Sequence, residues 1–276
     1  MESLGSSPKR TMSVMSRTKA LQSEVSALQI EVNALHLCLQ RLGVNSRGTK
    51  DVYGKEFSLP VDEEHKATKF VLLNFTNPHG RAFHTSWFAF FSAFYTMFAA
   101  APLMSKIRKP SSLNLSTDQI VTADISAVST NIAARALSGY ICDMIGPRRT
   151  LAILLFMTTP AILGMLWVES AASFIACRAI IGIGLATFVT SQVWCSQMYS
   201  KSVVGLANAT SAGWGNMGGG VTNLAMPFIF SAIYNLLDGD PLIKEDRAWR
   251  YCYLLPVALC LVSGGAALTG RDLPDG

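Results

Sequence analysis

Ala212-Gly213-Trp214-Gly215-Asn216-Met217-Gly218-Gly219-Gly220 is the stretch whose reading decides the fold. Five of the eight residues from Gly213 to Gly220 are glycine, and each costs a helix roughly 1 kcal/mol against Ala. Apolar residues nonetheless flank the run, Val203–Leu206 before it and Leu224–Phe230 after it. A membrane-spanning helix with a bare, polar middle accommodates both facts. Missing side chains let a second helix or a small solute touch the backbone, and Asn216 sets an amide at the centre of the bare patch. The expectation is a binding site at membrane depth, with the backbone of Gly213, Gly215, Gly218 and Gly219 open to a ligand.

Composition agrees with a membrane protein. The 276 residues are 50% hydrophobic and 15% charged, where soluble domains carry about 25% charge. Charge gathers in residues 1–81, and residues 82–270 are mostly apolar. The net charge of +5 suits a basic tail beside anionic lipid. No basic-aromatic interleaving suggests nucleic acid. Six cysteines (Cys38, Cys142, Cys177, Cys195, Cys252, Cys260) form no CxxC and read as small buried hydrophobes. Four histidines lack ligand spacing, so neither metal nor cofactor is expected. No catalytic triad, P-loop lysine or dinucleotide fingerprint points to an enzyme.

Outward from the glycine run, six apolar segments are each long enough for a bilayer core of about 30 Å: 83–104, 118–141, 150–169, 171–195, 202–234 and 248–269. The first is rich in aromatics. The second carries Ser, Thr and Asn throughout, so it should face protein or a water-filled path. Ser116 with Gln119 can start it as a capping box, or Thr117 as a simple cap. Residues 1–20 read as a disordered tail and 44–81 as a polar linker. Between them, 21–43 hold an unbroken heptad, with Leu21, Leu28, Leu35 and Leu42 at d and Val25, Val32 and Leu39 at a. This pattern favours a parallel two-stranded coil, a lone amphipathic helix being the other reading. Residues 271–276 begin a loop.

Flanking charges barely set orientation. With the N-terminus inside, the inner flanks hold seven basic residues and the outer flanks six. The long polar N-terminus favours a cytoplasmic location for it. Asn114-Leu115-Ser116 is then an external glycosylation sequon, and Asn74-Phe75-Thr76 an internal one.

Arg135 lies in the second segment, about five residues past its centre, with no acidic residue three or four positions away. An arginine near mid-membrane costs about 2.5–3.5 kcal/mol on insertion scales, so an unpaired one calls for an anion. Phe188 and Asn216 fall within about 10 Å of it in depth at 1.5 Å per residue. Forked guanidinium donors, a ring face and an amide suit a small planar anion. Nitrate and nitrite are planar, singly charged and weakly hydrated. Arg178, followed by Gly182, is a second in-membrane arginine, expected to pair or to contact carbonyls. Gly139, Asp143, Gly146, Arg148 and Arg149 form a turn between segments two and three in which Asp and Arg can latch onto helix ends.

That turn resembles the GxxxDxxGxRR loop of the major facilitator superfamily, and Arg178-x-x-x-Gly182 resembles its fourth-helix motif. Ala212–Gly220 resembles the signature of the nitrate/nitrite porter family in its eukaryotic high-affinity branch. His79-Gly80-Arg81-Ala82-Phe83-His84 and Asp272-Leu273-Pro274-Asp275-Gly276 fit the same branch. The resemblance implies an all-α integral membrane fold, seen as the six-helix N-terminal bundle of a twelve-helix porter working by alternating access. It matches Arg135 to the substrate arginine, Phe188 to the helix-four aromatic and Asn216 to the signature asparagine.

The chain departs from the pattern at the heptad and at Asp124, and it stops at Gly276, where the family's central loop begins. Implied partners are nitrate or nitrite, the bilayer, a C-terminal half or a second copy, and an accessory membrane protein. The plasma membrane is the expected site. The alternative reading is a truncated, non-transporting half that regulates full-length porters.

Overall fold

The computed structural model describes residues 21–35 and 54–273, and among them it is all-helical apart from isolated bridges. The tail 1–20, the remainder of the heptad segment, the first part of the linker and the last three residues lie outside the described residues. Helix α1 covers residues 21–35. It belongs to a compact unit, residues 1–48, separate from the one formed by residues 49–276.

In the larger unit, α2 (His79–Phe98) passes through a 3-10 turn into the short α3 (Met104–Ile107). Then come α4 (Thr117–Ile145), α5 (Pro147–Gly164) and α6 (Ala171–Ile183). A second 3-10 turn, Gly184–Ala186, leads from α6 into α7 (Thr187–Met198). Helix α8 (Val204–Leu236) is the longest described, and α9 (Pro241–Tyr251) with α10 (Leu254–Leu268) completes the set.

Local chemistry sets the boundaries. Ser116 caps α4 by accepting from the Gln119 amide, while the Gln119 side chain accepts from the Ser116 amide. This is the capping box expected from sequence. Ser170 and Ser173 build a similar box before α6. At the far end of α4, Gly146 takes φ +83° and donates to Cys142 O, and Pro147 opens α5. A positive φ favours glycine there, and proline at a first helical position loses no hydrogen bond.

Helix crossings depend on missing side chains. α8 buries one seam, Ala207, Ser211, Gly215, Gly218, Thr222 and Met226, at three- and four-residue spacing. A Cβ on Gly215 would enter the Phe90 ring of α2, and one on Gly218 would strike Phe91 O. α4 and α6 cross at Gly182, where a Cβ would strike Ala127 O. Beside it, the Thr130 hydroxyl donates to Ala179 O at 2.6 Å.

Three stretches are long and apolar enough to cross a membrane: His79–Ile107, Ala171–Met198 and Pro241–Leu268. α4 and α8 carry polar or glycine-rich middles, and α5 opens on Arg148 and Arg149. Only Ala123, Ala127, Ser138 and Cys142 of α4 are fully buried. The rest of the helix is exposed or half-buried, with apolar residues such as Val121, Ile125, Val128 and Ile132 exposed alongside Thr122 and Asp124.

The described part of the expected linker is not free chain. Leu59, Val61 and Ala67 are buried. The Ala67 amide donates to Met198 O at 2.9 Å, and Ser200 N donates to Ala67 O at 3.0 Å. Phe57 packs 5.4 Å from the His79 ring, which in turn bonds His65 O. Burial pushes the Tyr199 hydroxyl above its ordinary range, so it remains a donor, here to His79 O. Residues 54–78 thus form a collar over the ends of α2 and α7. The segment reads as polar because Lys, Asp and Glu crowd its first part, although Phe70-Val71-Leu72-Leu73 is a continuous apolar run.

Candidate anion site

Arg135 and Phe188 meet in the structure. The guanidinium carbon lies 5.2 Å from the centroid of the Phe188 ring, within range for a cation–π contact. Both side chains are half-buried. Arg135 Nε is buried and has no hydrogen-bond partner, and among the described residues no carboxylate pairs with this guanidinium.

The glycine run reaches this pair by a route that sequence spacing did not suggest. Phe188 packs 5.2 Å from Phe90, tilted at 53°, and Phe90 packs edge-on to Phe94 at 4.6 Å. Phe90 is itself seated where Gly215 lacks a side chain. Gly219 likewise touches the Phe98 and Phe94 rings. Gly215, Gly218 and Gly219 are therefore occupied by α2, which corrects the expectation that their backbone is open to a ligand. Close helix packing and a bare ligand surface have the same glycine signature, so the sequence could not separate them.

Gly213 does face open space, and Asn216 is exposed beside it. Among the described hydrogen bonds none joins Asn216 to Arg135.

Two further polar side chains stand one turn from the pair. Asn131 precedes Arg135 by four residues on α4, and its Oδ1 is buried without a partner. Gln192 follows Phe188 by four residues on α7, and its Nε2 is buried without a partner. Positions four apart share a helix face. The polarity of the second segment was legible in the sequence, whereas Gln192 and Phe90 gave no signal apart from their type.

Arg178 occupies a different environment. It is 7% exposed, its Nη2 donates to Asp124 Oδ1 at 2.8 Å, and its Nη1 donates to Met97 O. The expected pairing is present, and Asp124 supplies it. Gly182, one turn on, lets α4 approach closely enough for the bridge.

At the α4–α5 turn, Arg148 pairs with Asp272 at 2.9 Å and donates to Leu268 O and Gly270 O. It thereby holds orphan carbonyls at the end of α10. Gly139 has open space around it, and Asp143 and Arg149 are exposed. Asp143, Gly146, Arg149, Lys66, Gln197 and Asp272 border a cleft of about 640 Å³. Among the described residues no group of His, Cys, Asp or Glu could hold a metal ion, and five cysteines are free.

An all-helical bundle with three membrane-length stretches, an unpaired in-helix arginine and this latched turn defines a membrane transporter fold. The model of the Major Facilitator Superfamily matches residues 85–275, and the chain belongs to that family. Within it the chain is 45% identical over 223 residues to high affinity nitrate transporter 2.5 of Arabidopsis thaliana, covering 80% of this chain and 43% of that one. It is 40% identical over 235 residues to high-affinity nitrate transporter 2.3 of Oryza sativa subsp. japonica, covering 85% and 43%. It is 31% identical over 149 residues to the nitrate/nitrite transporter NrtP of Nostoc punctiforme, covering 54% and 29%. The resemblance to nitrate/nitrite porters is thus borne out, in a family of transporters and not of enzymes. The chain spans less than half the length of each of these curated relatives.

Proposed function

We propose that this chain supplies one half of the path by which a membrane porter carries nitrate or nitrite, with six membrane crossings, a cytoplasmic N-terminus and residence in the plasma membrane. α2–α3, α4, α5, α6–α7, α8 and α9–α10 are the crossings. The observation that carries the reading is Arg135, stacked on Phe188 with no carboxylate to neutralise it.

The chemistry follows from that pair. A forked guanidinium offers coplanar donors to two oxygens of one flat ion, and the Phe188 ring limits the thickness of what lies beside it. One cation balances one negative charge. A divalent tetrahedral anion would leave charge uncompensated in a poorly solvated place. The unsatisfied Nε2 of Gln192 lies one turn from Phe188 on α7 and can donate a further hydrogen bond to the anion, which the free acceptor Oδ1 of Asn131 cannot. Asn216 and Gly213, on the open side of α8, line the approach. Alternating access by rocking of two bundles around this depth is the movement that the family relationship supports.

The test is uptake of labelled nitrate by a complete porter carrying Arg135→Ala. Uptake at limiting nitrate is expected to fall at least about 100-fold, the order of one lost charge-assisted contact to a bound anion. Unchanged uptake would overturn the reading. Co-purification with a full-length porter, without transport by the chain itself, would favour a regulatory half instead.

A further inference from the structure

We infer that α1 is one strand of a parallel, two-stranded coil formed with α1 of a second copy of this chain. The inference is independent of the anion site. Leu21, Val25, Leu28, Val32 and Leu35 fall on one face of the helix, and each is between 55% and 66% exposed. A helix of this length is marginal alone in water, so an open apolar stripe of five large residues calls for a cover.

The polar positions identify the cover. Residues 21–35 contain two charges, Glu24 and Glu31, and no Lys or Arg. A helix that lies on anionic lipid carries cations on its polar face, so a bilayer is a poor match. A second copy is a good one. β-branched residues at a with Leu at d favour two parallel strands. In that arrangement Glu24, at g, faces the neutral Gln29 at e of the other strand. In an antiparallel pair that aligns a with d, g flanks g, so the glutamates of the two strands meet each other, which like-charge repulsion opposes. The same a/d spacing continues in the sequence at Leu39 and Leu42.

The experiment uses two differently tagged copies of the full chain, co-expressed and purified in detergent through one tag. The second tag is expected to co-purify with the native sequence. Leu28→Asp with Val32→Asp should reduce its recovery at least tenfold, while Ser26→Asp, on the outer face, should leave it unchanged. A native chain that is monomeric by mass, or equal recovery for all three, would overturn the inference.

Direction is read separately. In a Cys38→Ser background, Val32→Cys under a mild oxidant should give a covalent dimer, because a faces a only in a parallel pair. Absence of that dimer would overturn the parallel arrangement. Because α1 is exposed, an unchanged elution profile of each variant's monomer shows that the helical body is intact.

Discussion

Two buried or half-buried arginines stand in the same bundle and have opposite surroundings. Arg178 is nearly sealed and has both a carboxylate and a carbonyl within hydrogen-bonding distance. Arg135 is more open, has an aromatic ring as its neighbour, and pairs with no carboxylate among the described residues, while a buried Nε without a partner is common to both. Inside a protein a charge is stable when paired and costly when not. Arg178 is therefore part of the frame, tying α6 to α2 and α4. Arg135 is left over by the frame. An isolated cation of this kind is retained at a cost in stability, and an anionic ligand would offset it. The comparison separates an arginine that the frame pairs from one that it leaves without a carboxylate, the one proposed to hold the anion.

The largest effect expected from breaking this comparison is at Arg178. Arg178→Ala leaves Met97 O without its donor, removes the ion pair and opens a void at the Gly182 crossing. A loss of about 2–4 kcal/mol is expected, chiefly from the unsatisfied Met97 carbonyl and the void, read as a fall in thermal unfolding temperature of the purified protein. Arg135→Ala should leave that temperature within error while abolishing transport. If both variants were equally unstable, the distinction would fail.

Next is Phe188→Ala, which removes the ring but not the cation. A desolvated cation–π contact contributes about 2 kcal/mol, so anion affinity is expected to fall roughly 30-fold, measured by equilibrium binding to a complete porter. Phe188→Tyr should retain most of it.

Gly215→Ala is a finer probe. The added methyl has no room beside Phe90, and overpacking of this kind costs about 1–3 kcal/mol. Because Phe90 backs Phe188, the variant should weaken anion binding as well as lower stability. Gly213→Ala, in open space inside α8, should instead raise stability by up to about 1 kcal/mol, the helix propensity gained. Equal effects at the two glycines would show that Phe90 does not transmit the change.

The smallest effect is expected for Asp124→Asn. The carboxylate is 58% exposed, and solvent screening keeps such pairs to about 1 kcal/mol or less. The replacement amide can still accept from Arg178. A thermal shift as large as that of Arg178→Ala would mean that Asp124 is the dominant partner.

Much of the frame was legible before any coordinates. Apolar segments of membrane length, the Ser116–Gln119 box and the glycine–proline turn after α4 follow from local rules, and each appears within a few residues of its expected place. The sixth apolar segment holds a break at Cys252–Tyr253 that Pro256 announces, since its missing N–H leaves the Cys252 carbonyl without an intrahelical donor. The collar at residues 54–78 was unreadable for a different reason. Its burial depends on Met198 and Ser200, far away in the chain.

The site divides in the same way. Residue type and spacing along single helices determined that Arg135 has no local counter-charge, that Phe188 shares its level, and that α8 has a bare middle. Only the tertiary structure decided that Arg178 takes the available carboxylate and that Phe90 fills the glycine notch. Periodicity reports which face of a helix is apolar or polar. It contains no information on which other helix meets that face, and that choice fixes whether a buried charge is satisfied.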